Sequence, residues 1–169
     1  TKPFATLTAY DYTSAQILDN AGIPLILVGD SASMMMYGYD TTLPVSMEEM
    51  LLLVRAVCRG AQNSLIVADM PFLSYQPSVE ETIKNAGLFL KKGGASAVKL
   101  EGGRHIKRHI KSLVDCGIPV LGHIGLTPQS FHQFSGYKIQ GKTPSGAQKI
   151  IDDALAVQDA GAFGVVLEC

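Results

Sequence analysis

A segment with helical periodicity ends on glycine, and about six to eight residues later an unbroken apolar run ends on a polar, chemically capable side chain. Four copies of this unit are visible. Asn20-Ala21-Gly22 leads into Pro24 to Asp30, and Lys92-Gly93-Gly94 into Ala97 to Glu101. Asp115-Cys116-Gly117 leads into Pro119 to His123, and Asp159-Ala160-Gly161 into Val165 to Glu168. Glycine suits each junction as a helix C-terminus, because it enters the left-handed backbone region without steric cost. The apolar runs lack polar alternation, which predicts strands covered on both faces. Two more strands, Phe4 to Tyr10 and Ser64 to Met70 (ending near Asp69), complete a series of six. Helices fill the intervals. Ser46 and Glu49 form a capping-box pattern that opens a helix to about Arg59, and Ser78-Val79-Glu80-Glu81 opens another. Thr127-Pro128 reads as the cap and first residue of a third.

Alternating strands and helices predict an α/β fold with a parallel sheet and right-handed crossovers, closed as a barrel or open and doubly wound. An open nucleotide-binding sheet carries a glycine-rich turn after its first strand, and here that position reads Thr8-Ala9-Tyr10-Asp11-Tyr12. Polar residues at five of six strand ends favour a (β/α)8 TIM barrel, whose active site draws on many strand ends at one face. Such a barrel takes about 250 residues. We therefore expect residues 1–169 to form a single barrel domain that is incomplete, with two C-terminal strands missing.

Composition narrows the classes. At 47% hydrophobic and 17% charged residues the chain fits a globular domain with a sizeable core. Its net charge of -1, from 14 basic and 15 acidic residues, offers no broad field for nucleic acid or an anionic membrane. Cys58, Cys116 and Cys169 are too widely spaced for a zinc motif and odd in number, which points to a reducing, cytoplasmic setting. The longest apolar stretches are too short to span a bilayer. The start at Thr1-Lys2-Pro3-Phe4 has neither a signal-peptide pattern nor an initiator Met, so we expect a processed or truncated chain.

The candidate chemistry lies at the strand ends. Asp30, Asp69 and Glu101 each close a buried strand, where an unpaired carboxylate is costly and a bound cation compensates it. Three hard oxygen ligands imply Mg²⁺, with one of them acting through water. Helix capping or pairing with lysine is the bland alternative for any one of them. Lys99 and Glu101 are two apart on one strand and share a face. Lys99 either pairs with Glu101 or binds a substrate carboxylate and stabilises an enolate. His123 is placed to donate a hydrogen bond to the same oxygen or to move a proton. Glu168, among apolar neighbours, is placed to act as a general base with a raised pKa. His105 and His109, one turn apart among Lys107, Arg108 and Lys111, read as a solvated basic face. Met34-Met35-Met36 reads as loop or pocket lining.

Long motifs run through the whole chain in a fixed order. They are Thr6-Leu7-Thr8-Ala9-Tyr10-Asp11, Val28-Gly29-Asp30-Ser31, Thr42-Leu43-Pro44-Val45, Ala68-Asp69-Met70-Pro71-Phe72 and Val98-Lys99-Leu100-Glu101-Gly102-Gly103. Gly122-His123-Ile124-Gly125-Leu126-Thr127-Pro128-Gln129-Ser130, Gly136-Tyr137-Lys138 and Val166-Leu167-Glu168-Cys169 follow. In these the chain resembles the ketopantoate hydroxymethyltransferase family of pantothenate biosynthesis. The resemblance implies a (β/α)8 barrel of the phosphoenolpyruvate/pyruvate superfamily, Mg²⁺ dependence, and hydroxymethyl transfer from 5,10-methylenetetrahydrofolate to 2-oxoisovalerate. It implies Asp30 and Asp69 as metal ligands with Glu101 completing the shell, Ser31 and Lys99 as binders of the oxo-acid carboxylate, His123 near the keto oxygen, and Glu168 as the base. By the same resemblance the 2-oxo acid and folate are the small-molecule partners and the protein is a homo-oligomer, a decamer. Three departures stand out: Ala32-Ser33 in place of Leu-Gly, Leu53 in place of His, and Ser135 in place of Gly. The competing readings are an Mg²⁺-dependent lyase or phosphonomutase of the same superfamily, and an inactive structural fragment.

Overall fold

A computed structural model of the chain describes residues 2–134, 136 and 138–168, the side chain of Phe134 excepted. Six strands are present: β1 (Thr6–Thr8), β2 (Leu25–Val28), β3 (Leu65–Asp69), β4 (Ala97–Glu101), β5 (Val120–Gly125) and β6 (Gly164–Glu168). All pair in parallel and lie in the order β1-β2-β3-β4-β5-β6. Each strand thus neighbours the next one in sequence, which is the connectivity of a barrel rather than of a doubly wound sheet. The helices are α1 (Tyr12–Asn20), α2 (Ala32–Met35), α3 (Met47–Gly60), α4 (Val79–Leu88), α5 (Lys107–Asp115), α6 (Phe131–Phe134) and α7 (Pro144–Asp159). Among the described residues no helix is long and apolar enough to cross a membrane.

Two apolar layers hold the sheet. Its helix-facing side packs Ile26, Val28, Ile66, Ala68, Val98, Leu100, Val120 and Ile124 against helix residues such as Met50, Val54, Val57, Ile110 and Leu113. The α3 contributors recur at helical spacing, so one stripe of that helix meets the sheet. Fully burying each such side chain contributes about 1.5–3 kcal/mol. The opposite side carries a small cluster of Val67, Ala97 and Leu121, bordered by Leu25, Leu27 and Val166. Alternation along the strands puts Asp69, Lys99, Glu101 and His123 on that same side, one step nearer the C-terminal ends. Close packing of α7 on β5 depends on Gly122, because a Cβ there would collide with Val157.

The punctuation read from the sequence is present. Gly22, Gly94, Gly117 and Gly161 have φ of 78°, 86°, 80° and 94°. Ser46 accepts from Glu49 N–H while the Glu49 carboxylate accepts from Ser46 N–H, a complete capping box. Ser78 caps α4 through Glu81 N–H, and a π-helical turn, Phe89–Gly93, continues that helix. At the N-terminal end of the sheet, Asp19 accepts from the backbone N–H groups of Gln62, Asn63 and Ser64. The Ser64 hydroxyl at 2.7 Å and the Asn63 side-chain amide at 2.9 Å bring the bonds to five. One carboxylate therefore ties the end of α1 to the turn that feeds β3.

Several expectations are corrected. β1 is three exposed residues rather than Phe4 to Tyr10, because it pairs on one side only, with β2. Met34 and Met35 are in α2 rather than loop, with Met36 at its C-terminal end, and Met35 is 71% exposed. Thr127 does not cap a backbone N–H; its hydroxyl bonds Ser130 Oγ, and Pro128–Ser130 form a 3-10 turn ahead of α6. His109 is half-buried, whereas Lys107, Arg108 and Lys111 around it are exposed as expected. Cys58 and Cys116 are free thiols. Ala32 and Ser33 are buried in α2, and Leu53 packs partly buried against the core. Thr1, Ser135, Tyr137 and Cys169 lie outside the described residues, so the third departure and parts of two motifs do as well.

Candidate active site

Strand register assembles the site. β3 and β4 pair with Asp69 beside Lys99, and β4 and β5 pair with Glu101 beside His123. Gly29 and Asp30 carry the chain out of the sheet past β2, which frees the Asp30 N–H to donate to Asp69 Oδ2 at 3.1 Å. Lys99 Nζ stands 2.9 Å from Asp69 Oδ1, 3.8 Å from Glu101 Oε1 and 3.1 Å from His123 Nδ1. Asp30, Asp69, Lys99, Glu101 and His123 are all buried. Ser31 follows Asp30, and its hydroxyl is 2.8 Å from the Tyr10 hydroxyl. Glu168, at the end of β6, reaches to 3.3 Å from His123 Nε2. Every site residue expected from the sequence therefore falls at one end of the sheet.

Burial and crowding set the protonation states. Burial would lower the Lys99 pKa, but Asp69, Glu101 and Asp30 outweigh it and hold the ammonium charged well above its usual range. Burial pushes the Glu101 carboxyl up to about 7 against the pull of Lys99, and Asp30 is raised well above the carboxylate range by burial and by Asp69. His123 is lowered to about 3 by burial and then by Lys99. It is therefore a neutral imidazole at pH 7. Because Lys99 can only donate, His123 Nδ1 accepts from it and the ring proton sits on Nε2, toward Glu168.

The site holds more acidic groups than basic ones. Three carboxylates face one lysine and a neutral histidine, and Asp69 Oδ1, Glu101 Oε1 and His123 Nε2 are buried without a hydrogen-bond partner. The Asp69 to Lys99 contact is an ion pair by distance whose angles fall outside hydrogen bonding. Hard oxygen donors buried without a hydrogen-bond partner fit a divalent cation such as Mg²⁺, which takes one or two carboxylates and keeps waters. Among the described residues, no group of three or more His, Cys, Asp or Glu side chains is arranged to hold a metal ion together. Lys99 stands between Asp69 and Glu101 instead, which leaves Asp30 and Asp69 as the adjoining acidic pair.

The family model described as ketopantoate hydroxymethyltransferase matches residues 1–169. The chain belongs to the ketopantoate hydroxymethyltransferase family. A 3-methyl-2-oxobutanoate hydroxymethyltransferase of Dehalococcoides mccartyi is 60% identical over 164 residues, which is 97% of this chain and 59% of that protein. One from Syntrophus aciditrophicus is 58% identical over 163 residues, covering 96% of the chain and 60% of the relative. The chain thus spans about three-fifths of the length of the curated relatives it matches. A phosphonopyruvate hydrolase solved with oxalate and Mg²⁺ superposes with a TM-score of 0.74 at 15% identity, over 99% of this chain and 58% of that one. A 2,3-dimethylmalate lyase, described as a PEP mutase/isocitrate lyase superfamily member, gives 0.68 at 17% identity, over 98% and 58%. These likenesses establish the fold as part of a TIM barrel.

Within this ketopantoate hydroxymethyltransferase fold, Glu168 stands at the edge of the described sheet. Among the described residues its side chain is 46% exposed, and β6 pairs with β5. Two site residues escaped the sequence reading. Gln129 is 6% exposed and bonds Asp30, Met70 and Glu101; Tyr75, almost fully buried, bonds Gln129 and the Glu101 backbone. Burial, followed by the nearby Glu101 charge, raises the Tyr75 hydroxyl pKa well above its usual range, so it stays protonated. Gln129 stood inside a motif read as a helix start, and Tyr75 in a loop without a readable pattern.

Proposed function

We propose that the intact protein transfers a hydroxymethyl group from 5,10-methylenetetrahydrofolate to 2-oxoisovalerate (3-methyl-2-oxobutanoate), giving ketopantoate for pantothenate synthesis. One water is consumed and tetrahydrofolate is released. The observation that carries this reading is the buried Asp30, Asp69, Lys99, Glu101 and His123 cluster with Glu168 at its rim, in a chain 60% identical to a relative of that name. Asp30 and Asp69, with Glu101 close by, would hold Mg²⁺, whose Lewis acidity would make the C3 proton of a bound 2-oxo acid easier to remove.

The chain's own groups divide the remaining work. Lys99 Nζ and the Ser31 hydroxyl bind the substrate carboxylate. Neutral His123 donates from Nε2 to the keto oxygen and stabilises negative charge as it grows there. Glu168, half exposed and beside His123, takes the C3 proton, and the resulting carbon nucleophile attacks the folate-borne one-carbon unit. We further propose a cytoplasmic homo-oligomer, decameric as in the family.

Deuterium exchange at C3 of 2-oxoisovalerate, followed by proton NMR with full-length protein and Mg²⁺, tests the reading. Exchange should be abolished by a chelator and should fall at least about 100-fold in Glu168→Gln, the scale of a lost general base. An absence of exchange in the wild-type protein, with cleavage of a phosphonate or dicarboxylic 2-oxo acid instead, would transfer the assignment to the lyase and phosphonomutase branch.

A further inference from the structure

The loop after β5 sends one side chain across the mouth of the sheet, from His123's strand to the residues after β2 and β3. Gln129 Nε2 donates to Asp30 Oδ2 and to the Met70 carbonyl, each at 2.9 Å. Its Oε1 accepts from Gln76 Nε2 at 3.0 Å and lies 2.9 Å from the Tyr75 hydroxyl. Its backbone N–H donates to Glu101 Oε2 at 3.0 Å. The Tyr75 hydroxyl also accepts from Glu101 N–H at 3.2 Å and lies 2.9 Å from the Glu101 carbonyl. Reversing the Gln129 amide would set its NH₂ against that of Gln76 and its oxygen against Asp30 and Met70, so the network admits one orientation.

The consequence for the carboxylates is specific. Gln129 engages Asp30 Oδ2 and Glu101 Oε2, while the other Glu101 oxygen, Oε1, is left facing Lys99 and His123 at 3.8 and 3.5 Å without a hydrogen bond. Two acids on different strand ends are thereby aimed by one residue that carries no charge and bears no reacting atom. We infer that Gln129 is the positioning residue of this site, holding Asp30 beside Asp69 in the orientation that receives a divalent cation while it turns Glu101 Oε1 towards Lys99 and His123, with Tyr75 fixing Gln129 in turn. This rests on the proposed function for the identity of the cation's task, though not for its binding.

The test uses the full-length protein and three variants: Gln129→Leu, the near-isosteric Gln129→Glu, and Tyr75→Phe. Mg²⁺ affinity is measured by calorimetry without substrate, alongside Tm and C3 exchange. Gln129→Leu and Gln129→Glu should each weaken Mg²⁺ binding and slow exchange by about 10- to 100-fold, the range seen when partners that orient metal ligands are removed. Tyr75→Phe, which keeps the buried ring, should shift both in the same direction by less, so the inference stands or falls on it if the Gln129 variants do not fold. Mg²⁺ affinity within twofold of wild type in the folded variants, or a lowered Tm with unchanged affinity, would assign Gln129 a purely structural role. Wild-type protein that binds Mg²⁺ but exchanges no C3 proton overturns the proposed function, while the affinity comparison still decides the role of Gln129.

Discussion

Asp19 shows how much one side chain can settle. Five hydrogen bonds from Gln62, Asn63 and Ser64 reach its carboxylate, and those of the Ser64 hydroxyl, first, and of the backbone hold its pKa well below the usual carboxylate range. Unfolded, the same group takes up a proton near 3.8. A depressed folded value means that its contribution to stability is complete above that pH and is lost as pH falls through the folded value. Asp19→Asn should therefore lower the urea midpoint of the intact protein at pH 7, and the gap to wild type should narrow in acid. A constant gap from pH 7 down to pH 2.5 would show that the charge is not what the Gln62 to Ser64 turn recognises. The same scale explains what was legible. Asp30, Asp69, Lys99, Glu101, His123 and Glu168 announce themselves as polar residues ending apolar runs, a local signal. Gln129 does not, because its partners Asp30 and Met70 lie 99 and 59 residues away and nothing near it in sequence demands them.

Elements were read best where punctuation is chemical. Ser46 with Glu49 and Ser78 with Glu81 announced α3 and α4 through groups that satisfy the first N–H donors of a helix, and both caps are formed. Loss of the α3 cap in Ser46→Ala should destabilise the protein by about 1 kcal/mol, measured by urea denaturation, with no change in C3 exchange. An effect on exchange would mean that α3 is coupled to the site. Strand lengths were read less well. Apolar content sets where a strand can be buried, but pairing sets where it ends, and Phe4 to Tyr10 shrinks to Thr6–Thr8 beside a single neighbour.

At the scale of the given chain, the sheet formed by the described residues has two unpaired edges, β1 and β6. Leu7 lies on one, and Phe163, Val165 and Leu167 lie on or beside the other, with Leu167 62% exposed. Unpaired edges with apolar side chains invite association with other chains. The 169-residue chain expressed alone should therefore form concentration-dependent oligomers by light scattering, and Leu167→Lys should reduce them. A monomer at all concentrations would mean that these edges are protected in some other way.

The order of the strands has a further consequence, in time rather than in space. A ribosome delivers Asp30 and Asp69 before Lys99, the only lysine buried with them, and delivers His123 and the loop bearing Gln129 later still. Domains fold as units, so β2 and β3 emerge with two carboxylates whose counter-charge on β4 is still to come, and burying them before it arrives is costly. Burial of the reactive end is therefore favoured once Lys99 has been made.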